Sequence, residues 1–447
     1  MMKRLSCILL LAFLAAWPLG AQFRSPLEDL EDSETVRALK EHVATLSAAQ
    51  LEGRRAGSEG ERLAAEYLSA RLAEYGADVL PGGTFSIARG ADTLESRNVV
   101  GLIQGWDPAY NKHYIVVGAR MDNLGTDTLV VDGHPQPRIY YGANGNASGM
   151  ALLLELAGRL SLSRNLLRRS ILLVGFGASQ ESFAGAWYFL NRSFAADASV
   201  IDAMVNLDML GTGSQGLWAY TASNTDLDTV IKSLQGDLLP VQAQLTTVAP
   251  YPGDHTVFYN GEIPSVLFTT GRYPEHGTGR DSYDIVDFDG MEKELEYLFA
   301  CVQQLANGPR PLFRNDQASH EKAPEGVVPY SEVDVKPMFL NSPDPASFLE
   351  RWVYAYLKYP RYAVENGIQG RVLVDFVVDE KGQVQDVKVS RGVHSSLDEE
   401  AVRVVSASPK WRPGRLHGKK VKVALTVAID FKLDKNKGKF GINGYGL

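Results

Sequence analysis

A few side chains in the 447-residue chain are of types that hold a metal ion or transfer a proton. Asp208 and His276 follow apolar segments, and Asp254 and His255 are adjacent in "GDHTVF". Carboxylates and neutral imidazoles are zinc ligands, and a nearby carboxylate can take the proton of a metal-bound water. The eight histidines form no HExxH motif, and the two cysteines form no CxxC motif. The preferred interpretation of these four residues is that they are hydrogen-bonded structural groups, and a single-metal site is the alternative.

The loop "GANGNASG", residues 142–149, lies between a strand-like apolar run and a helix-like apolar run. Gly142, Gly145 and Gly149 give its backbone freedom. A loop of this kind is typical of the mouth of a sheet, where side chains are presented to ligands. It contains amides but no carboxylate, thiol or imidazole.

Strand-like and helix-like segments alternate around these residues. The predicted strands cover 113–123, 170–180, 201–211 and 263–271, and the predicted helices cover 34–49, 59–75, 150–160, 184–194 and 290–306. This alternation predicts an α/β domain with a mostly parallel sheet and helices on both faces. Ligands in such folds bind beyond the carboxyl ends of the strands, so residues there are expected to converge on one cleft. These residues are Arg120, Gly145, Gln180, Asp208 and His276.

The region from about residue 34 to 307 resembles the M28 family of zinc aminopeptidases. The motifs that carry the resemblance occur in matching order: "LEGRRAGSEGERLAAEYL" (51–68), "VVGARMDNLG" (116–125), "GANGNASGMALLLELA" (142–157), "LLVGFGASQ" (172–180), "VNLDMLG" (205–211) and "EHGTGRDSYDIVDF" (275–288). The resemblance implies a pair of zinc ions that activate a water molecule.

Position by position, the resemblance also implies that most of the zinc-binding residues have been replaced. Arg120 occupies the position of the first histidine ligand, and Gly145 that of the bridging aspartate. Ser179 occupies the position of the general base, and Gln180 that of the ligand glutamate. A shifted alignment would make Gln180 the base and Glu181 the ligand, but would leave the first two replacements unexplained. No catalytic residue is therefore expected.

Asp208 and His276 are the family ligands that remain, and Asp122, which orients the first ligand in the family, is also present. Each half of the zinc site would then have a single protein ligand, and the permanent charge of Arg120 would repel a zinc ion. No metal cofactor is expected. Zinc is expected only under the alternative of an active enzyme with a non-standard metal site.

The candidate ligand cleft consists of Arg120, Asp122, Asp208 and His276. Arg120 is expected to pair with Asp208 or Asp122, since these carboxylates would otherwise be uncompensated. The preferred interpretation is that Arg120 has a structural role and replaces the charge of the metal. The alternative is that the guanidinium grips a ligand carboxylate such as a peptide C-terminus.

Residues 309–334 are rich in proline and charge and are interpreted as a linker, and 435–447 as a tail. Between them, 335–434 is predicted to form a small α+β domain, with helices at 346–357 and 396–408 and strands within 371–392 and 419–433. This region resembles the C-terminal domain of TonB through "YPRYAVENGIQGRVLVDFVVDEKGQVQDVKV" (359–389), "LDEEAVRVV" (397–405), "PKWRPGRLHGKKVKV" (409–423) and "VAIDFKL" (427–433). The resemblance implies binding of a protein or peptide partner, such as an outer-membrane transporter segment, or of peptidoglycan. A free sheet edge would accept an extended partner strand.

The first 21 residues have the pattern of a secretory signal peptide: Lys3 and Arg4, an apolar run from Leu5 to Trp17, and small residues before Gln22. The run is short for a membrane span. Residues 22–308 are then the peptidase-like domain, and the mature protein is expected in the periplasm, or anchored in the inner membrane if the signal is uncleaved. The net charge of −8 argues against a nucleic-acid partner.

Three functions are consistent with these features. The first is an exported, catalytically inactive peptidase-like protein that acts as a periplasmic binding or adaptor protein. The second is an active metallo-aminopeptidase with an unusual metal site. The third is TonB-like energy transduction to outer-membrane transporters, which would require an uncleaved N-terminus.

Overall fold

The computed structural model describes residues 32–81, 83–89, 92–131, 134–194, 197–213, 216–236, 238–247, 249–313 and 326–433. The predicted signal peptide and tail lie outside these residues, as does part of the predicted linker. Within the described ranges, no helix is both long enough and apolar enough to cross a membrane.

The first domain alternates strands and helices, as predicted. Its helices are α1 (Glu34–Leu46), α2 (Glu59–Glu74), α3 (Ser148–Leu162), α4 (Ala184–Tyr188), α5 (Thr225–Ser233), α6 (Asp254–Asn260) and α7 (Phe288–Asn307). Its strands are β1 (Asp78–Leu80), β2 (Thr84–Arg89), β3 (Asp92–Arg97), β4 (Val99–Ile103), β5 (Tyr114–Arg120), β6 (Thr126–Val131), β7 (His134–Ile139), β8 (Ser170–Phe176), β9 (Ile201–Leu207), β10 (Trp218–Tyr220), β11 (Gln244–Thr246) and β12 (Ser265–Thr269). Short helical turns cover Ala49–Arg54, Ala143–Ala147, Arg164–Leu166, Phe189–Ser193, Ala198–Val200 and Tyr283–Ile285.

Within the described residues, eight strands form the central sheet in the order β1-β4-β8-β5-β9-β12-β10-β11. The four middle strands, β8, β5, β9 and β12, run parallel to one another. β4 and β10 run antiparallel to their inner neighbours. The predicted mostly parallel sheet is confirmed, and its parallel centre brings the carboxyl ends of four strands to one edge.

Alternate residues of the central strands pack against helices on opposite faces of the sheet. On one face, Ile115 and Val117 belong to a core shared with α1, α2, α3 and α7. On the other face, Val116 packs with Phe176, Phe189 and Phe258 from β8 and the segments around α4 and α6. Burial on both faces explains why these strands are continuous apolar runs in the sequence.

The helices begin where polar side chains accept the first free backbone N–H groups. The Ser33 hydroxyl accepts from Val36 N at 3.0 Å at the start of α1, and Ser58 accepts from Glu61 N at 3.3 Å at the start of α2. Asp287 accepts from Gly290 N at 2.9 Å at the start of α7. These N-caps fix the ends of the helices that cover the sheet.

The second domain is a four-stranded sheet, in the order β13-β18-β14-β15, with one main covering helix. Its strands are β13 (Val327–Pro329), β14 (Gly370–Val378), β15 (Val384–Arg391), β16 (Arg415–Leu416), β17 (Lys419–Lys420) and β18 (Lys422–Phe431), of which β16 and β17 form a separate hairpin. Its helices are α8 (Pro345–Phe348), α9 (Tyr354–Tyr356), α10 (Arg361–Glu365) and α11 (Ser395–Ser406), and short turns cover Tyr330–Glu332 and Leu349–Val353.

An aromatic cluster fills the core of the second domain. Trp411 lies 5.0 Å from Phe348, 5.3 Å from Phe339 and 5.9 Å from Phe376, measured between ring centroids. Gly382 allows the segment before Trp411 to approach the β14–β15 turn, because a Cβ there would lie 1.8 Å from the Trp411 carbonyl oxygen. The predicted turn at Lys381-Gly382 is therefore also a packing contact.

The structure differs from the sequence prediction at the start and end of this sheet. Val327–Pro329 lies inside the predicted linker, yet pairs in parallel with β18. The predicted strand 419–433 is divided between the β16–β17 hairpin and β18. A three-residue edge strand that ends in proline has too little periodicity to be recognised without its neighbour.

Candidate functional site

The predicted cleft lies where β5 and β9 end side by side in the central sheet. Arg120 is the last residue of β5, and Asp208 directly follows β9. The Arg120 Nε donates to Asp208 Oδ1 at 3.1 Å, and the two side chains are only 9% and 7% exposed. The structure thus contains the expected ion pair in a buried position.

Arg120 remains a cation in this setting. Burial lowers its pKa, but Asp208 and Asp122 raise it by a larger amount, so the pKa is above that of a free arginine. Its Nη1 is buried and has no hydrogen-bond partner among the described residues. The charge of the guanidinium is therefore balanced mainly by carboxylates of the same cleft.

Asp122 connects the end of β5 to the loop that follows β8. Its carboxylate accepts hydrogen bonds from the backbone N–H groups of Ser179 at 2.7 Å and Gln180 at 3.0 Å. Burial raises the pKa of Asp122 to about 6, although these hydrogen bonds and Arg120 oppose the increase. Asp122 thus holds the loop carrying the two replaced family positions.

Ser179, at the position of the general base, hydrogen-bonds to Asp254 at the start of α6. The Ser179 Oγ donates to the two carboxylate oxygens of Asp254 at 2.9 and 3.0 Å. Burial, together with Asp122 and Asp208, raises the pKa of Asp254 to about 8. Asp254 is therefore mostly protonated near neutral pH.

Gly145 lies against the guanidinium, in a space where a side chain would press on its neighbours. A Cβ at Gly145 would lie 3.0 Å from Tyr273 Oη, 3.2 Å from Arg120 Nη2 and 3.2 Å from Asp281 Oδ2. Contacts this short require the neighbours to move. The replacements at positions 120 and 145 are thus sterically coupled, because the arginine and its neighbours fill the space beside the glycine.

Asp281 provides the carboxylate that the loop itself lacks. It accepts hydrogen bonds from the backbone N–H groups of Asn144 at 2.8 Å and Gly145 at 3.1 Å, and from Tyr273 Oη at 2.6 Å. Neither Asp281 nor Tyr273 is among the site residues predicted from the sequence. Nothing in their local sequence indicates a contact with a loop more than a hundred positions away.

The asparagines of "GANGNASG" anchor the loop to the segment after β9. Asn144 Oδ1 accepts from Gly211 N at 2.6 Å, and Asn146 Oδ1 accepts from Met209 N at 3.0 Å. Asn146 Nδ2 donates to Leu207 O at 2.9 Å. The amides are therefore used to hold the loop in place.

His276 and Gln180 lie towards the solvent rather than inside the buried pair. Both residues are exposed, and the His276 ring lies 5.5 Å from that of Tyr273. Burial and the nearby Arg120 lower the pKa of His276. The Gln180 side chain lines an open cleft of about 360 Å³ together with Glu181, Asn123 and other residues. The five positions predicted to converge are therefore divided between a buried ion pair and its rim.

The comparisons with known proteins identify both parts of the chain. Residues 98–302 match the sequence model of Peptidase family M28, and residues 355–433 match that of the Gram-negative bacterial TonB protein C-terminal. The chain joins an M28 peptidase-family domain to a TonB C-terminal domain. We refer to these as the M28 domain and the TonB domain.

Two curated relatives share parts of the sequence. Leupeptin-inactivating enzyme 1 of Streptomyces exfoliatus is 26% identical over 231 residues, which are 51% of this chain and 47% of the relative. Protein TonB of Pseudomonas aeruginosa is 29% identical over 121 residues, 27% of this chain and 31% of the relative. The chain thus spans about half the length of the first relative and about a third of the second.

Solved aminopeptidase structures align with the M28 domain. An aminopeptidase from Aneurinibacillus sp. strain AM-1 is 17% identical to this chain, with a TM-score of 0.48. The alignment covers 62% of this chain and 96% of the aminopeptidase. LapA of Legionella is 20% identical, with a TM-score of 0.49, and the alignment covers 61% of this chain and 73% of LapA. A zinc aminopeptidase from Bacillus subtilis is 14% identical, with a TM-score of 0.48, and the alignment covers 62% of this chain and 98% of the aminopeptidase.

The residues of the M28 cleft do not fit a pair of zinc ions. Zinc requires several thiolate, imidazole or carboxylate donors, whereas Arg120 offers only N–H groups and a positive charge. The Asp208 carboxylate accepts from that guanidinium, and position 145 has no side chain. The donor set is therefore that of a salt bridge and not of a two-metal centre.

The single-metal alternative is not supported by the arrangement of its four candidates. Among the described residues, no three His, Cys, Asp or Glu side chains are grouped to hold a metal ion. Asp254 accepts from the Ser179 hydroxyl, and the Asp208 carboxylate accepts from Arg120. The described residues therefore do not support the option of a single-metal site at Asp208, Asp254, His255 and His276. The sequence places Asp208 after a strand, and Asp254 and His255 begin α6, but it does not specify the directions of their side chains.

Proposed function

We propose that the M28 domain is a catalytically inactive scaffold and that the chain acts as an exported binding or adaptor protein of the periplasm. One observation carries the proposal: the Arg120 guanidinium pairs with Asp208 at 3.1 Å, and its Nη2 lies 3.2 Å from where a Cβ of residue 145 would be. The cation of the protein itself then occupies the place of the metal charge. We propose that the domain binds no catalytic metal.

The surroundings of the base position support the same conclusion. Ser179 is 4% exposed and its hydroxyl donates to Asp254. A neutral hydroxyl is too weakly basic to take a proton from a water molecule. Asp254, with its pKa raised to about 8 by burial, is itself largely protonated near neutral pH. General-base catalysis needs a group that is deprotonated and within reach of the reacting water.

The proposed partner-binding surface is the β15 edge of the TonB domain. β15 (Val384–Arg391) pairs with β14 on one side, and no further strand pairs with it among the described residues. An exposed edge can accept an extended peptide through backbone hydrogen bonds, with alternate side chains giving specificity. The relation to Protein TonB supports a protein partner, such as a segment of an outer-membrane transporter, with peptidoglycan as the other candidate.

A peptidase assay with the full chain tests the proposal. The purified protein is incubated with a panel of aminoacyl-nitroanilides, with added zinc and, separately, with a chelator. We expect no turnover above that of the buffer under either condition. Zinc-dependent turnover that the chelator abolishes, and that is also lost in Asp208→Asn, would establish the alternative of an active metallo-aminopeptidase.

Sequencing of the mature N-terminus tests the location. A chain that begins at Gln22 is expected, which supports export and removal of residues 1–21. An intact N-terminus in the membrane fraction would instead support an inner-membrane anchor, and with it the third function, energy transduction to outer-membrane transporters.

A further inference from the structure

A second cavity, of about 370 Å³, lies between the M28 domain and the TonB domain. Phe85, Trp187 and Tyr188 form part of its wall on the M28 side, and Tyr362 and Ile368 on the TonB side. Its volume is in the range of small-molecule sites, and both domains contribute to it. The cavity is separate from the Arg120 site, because Arg120, Asp122, Asp208 and His276 are not among its lining residues.

The domains make direct contacts around this cavity. Trp187 packs against the core of the TonB domain, and Tyr362 packs against a small M28 cluster that includes Phe85 and Ile87. The hydroxyls of Ser182 and Ser395 lie 2.8 Å apart across the boundary. The wall is therefore formed by packed side chains from both domains.

The aromatic rings of the wall are arranged in stacked pairs. Phe85 and Tyr188 have centroids 4.8 Å apart and planes inclined by 21°, and Tyr362 and His394 have centroids 5.2 Å apart and planes inclined by 20°. Flat aromatic surfaces are suited to a planar apolar group, which can stack on them or meet them edge to face.

His394 offers a hydrogen-bond donor that the protein does not use. The residue is 7% exposed, lines the cavity, and its Nε2 is buried without a partner among the described residues. Its Nδ1 accepts from Ser396 N at 3.2 Å, so a neutral ring has its proton on Nε2. Burial lowers the pKa of His394 to about 4, which keeps the ring neutral near pH 7. A buried N–H without an acceptor is costly and favours a ligand that provides one.

Arg192 adds a positive charge to the same cavity. Its guanidinium lies 5.5 Å from the Trp187 ring, and among the described residues it has no ion pair. The Nη2 of Arg192 is 3.1 Å from where a Cβ of Gly367 would lie, so the absence of a side chain at 367 leaves space for the guanidinium next to the TonB domain. Glu365 at the rim is paired with Arg361 at 2.6 Å.

We propose that this interdomain cavity binds a ligand with a planar apolar group and a carboxylate, the carboxylate facing Arg192 and an acceptor oxygen facing His394 Nε2. The shared chemistry is that of an aromatic acid. It could be a free small molecule or the C-terminal aromatic residue of a peptide. The proposal is independent of whether the M28 cleft is catalytic.

The test uses calorimetric titration of the full chain with four probes. These are 3-phenylpropionate, N-acetyl-phenylalanine, N-acetyl-phenylalaninamide and a tetrapeptide that ends in phenylalanine. We expect the acids to bind and the amide to bind about tenfold more weakly, since it lacks the charge that Arg192 recognises. Preference for 3-phenylpropionate over the tetrapeptide would identify a free acid, and the reverse order a peptide C-terminus.

Variants assign the binding to this cavity. Arg192→Gln is a surface change. It should lower the affinity for the acids about tenfold and change the affinity for the amide less than about twofold. Arg168→Gln, which removes an arginine stacked on Tyr110 at 4.1 Å, is the matched control and should have no effect. His394→Asn keeps an N-cap acceptor for Ser396 N, so α11 should still form. The variant should lower the affinity for the acids and for the amide by similar factors.

Imidazole NMR provides an independent measurement. The His394 signal, identified by its loss in His394→Asn, should shift when N-acetyl-phenylalanine is added and keep its Nε2–H form. The proposal is overturned if the acids and the amide bind equally, if none binds at millimolar concentration, or if Arg192→Gln leaves acid binding unchanged.

Discussion

Two arginines of this chain illustrate opposite uses of a cation. Arg120 is buried and pairs with Asp208 at 3.1 Å, in a space where a residue larger than glycine at 145 would collide with it. Arg192 is exposed, stacks on Trp187, and has no ion pair among the described residues. The comparison indicates that the first arginine completes its own site, whereas the second leaves its charge available to a ligand.

The largest effect is expected from removal of the Arg120 charge. Arg120→Leu should destabilise the M28 domain by about 3–5 kcal/mol, because Asp208 is then buried without a partner. Hydrogen–deuterium exchange of the β5 segment measures this change within the two-domain chain.

A double variant is the control for this prediction. Arg120→Leu with Asp208→Leu removes both charges and should recover a large part of the lost stability, since paired replacement avoids an isolated buried charge. If Arg120→Leu alone lowers the unfolding free energy by less than about 1 kcal/mol, Arg120 does not have the structural role assigned to it.

Gly145→Ala should destabilise the M28 domain by about 1–3 kcal/mol, because its Cβ would press on Tyr273 Oη, Arg120 Nη2 and Asp281 Oδ2 at 3.0–3.2 Å. The matched control is Gly158→Ala in the interior of α3, where the nearest atom would be 3.7 Å away. That change should stabilise the protein by about 0.5–1 kcal/mol. Equal effects of the two substitutions in thermal unfolding would contradict the packing argument.

Asp254 should make the M28 domain less stable as the pH rises. Its pKa is raised by burial to about 8 in the folded state, above the value of about 4 for an unfolded aspartate. Its contribution is therefore fully present below about pH 4 and is lost as the pH rises through about 8, by at most about 1.4 kcal/mol per pH unit. The neighbouring charged groups are Asp122, Asp208 and Arg120.

The control for the pH effect is Asp254→Asn, which cannot ionise. Its unfolding free energy should depend less on pH than that of the unchanged protein between about pH 6.5 and 8. His255 is present in both proteins, so its own contribution to the pH dependence cancels in the comparison. Parallel pH profiles for the two proteins would show that Asp254 is already ionised in the folded state.

The smallest effect is expected at the polar contact between the domains. Ser182→Ala removes an exposed hydrogen bond to Ser395 and should change stability by about 0.5 kcal/mol. The control is Ser233→Ala, which removes an exposed bond within the M28 domain. A much larger loss for Ser182→Ala in thermal unfolding would mean that this polar bond, and not the packing of Trp187 and Tyr362, holds the cavity walls together.

The four parallel strands at the centre of the M28 sheet and the long helices that cover it could be predicted from the sequence, because they are apolar runs or repeat apolar residues at helical spacing. The shorter strands at the edges of the sheet and in the separate hairpins were not predicted. The pairing of Arg120 with Asp208 or Asp122 could also be predicted, since Arg120 and Asp208 lie at the carboxyl ends of neighbouring strands in the parallel centre of the sheet. The fold class and both family relations are confirmed. These predictions rest on local patterns or on motifs whose order is fixed along the chain.

Contacts between distant segments could not be predicted in the same way. Asp281 accepts from Gly145 N across 136 positions, and β13 is recognisable only beside β18. The cavity between the domains depends on how Trp187 and Tyr362 pack across the boundary. Such contacts are set by the tertiary arrangement, for which the sequence near each residue gives no signal.

Zinc content is the most direct test of the central claim that Arg120 stands in place of the metal charge. The full chain is incubated with excess zinc, dialysed, and analysed by native mass spectrometry and elemental analysis, with Asp208→Asn as the control. We expect no zinc to be retained above that of the control. Two zinc ions per chain that are lost in Asp208→Asn would contradict it.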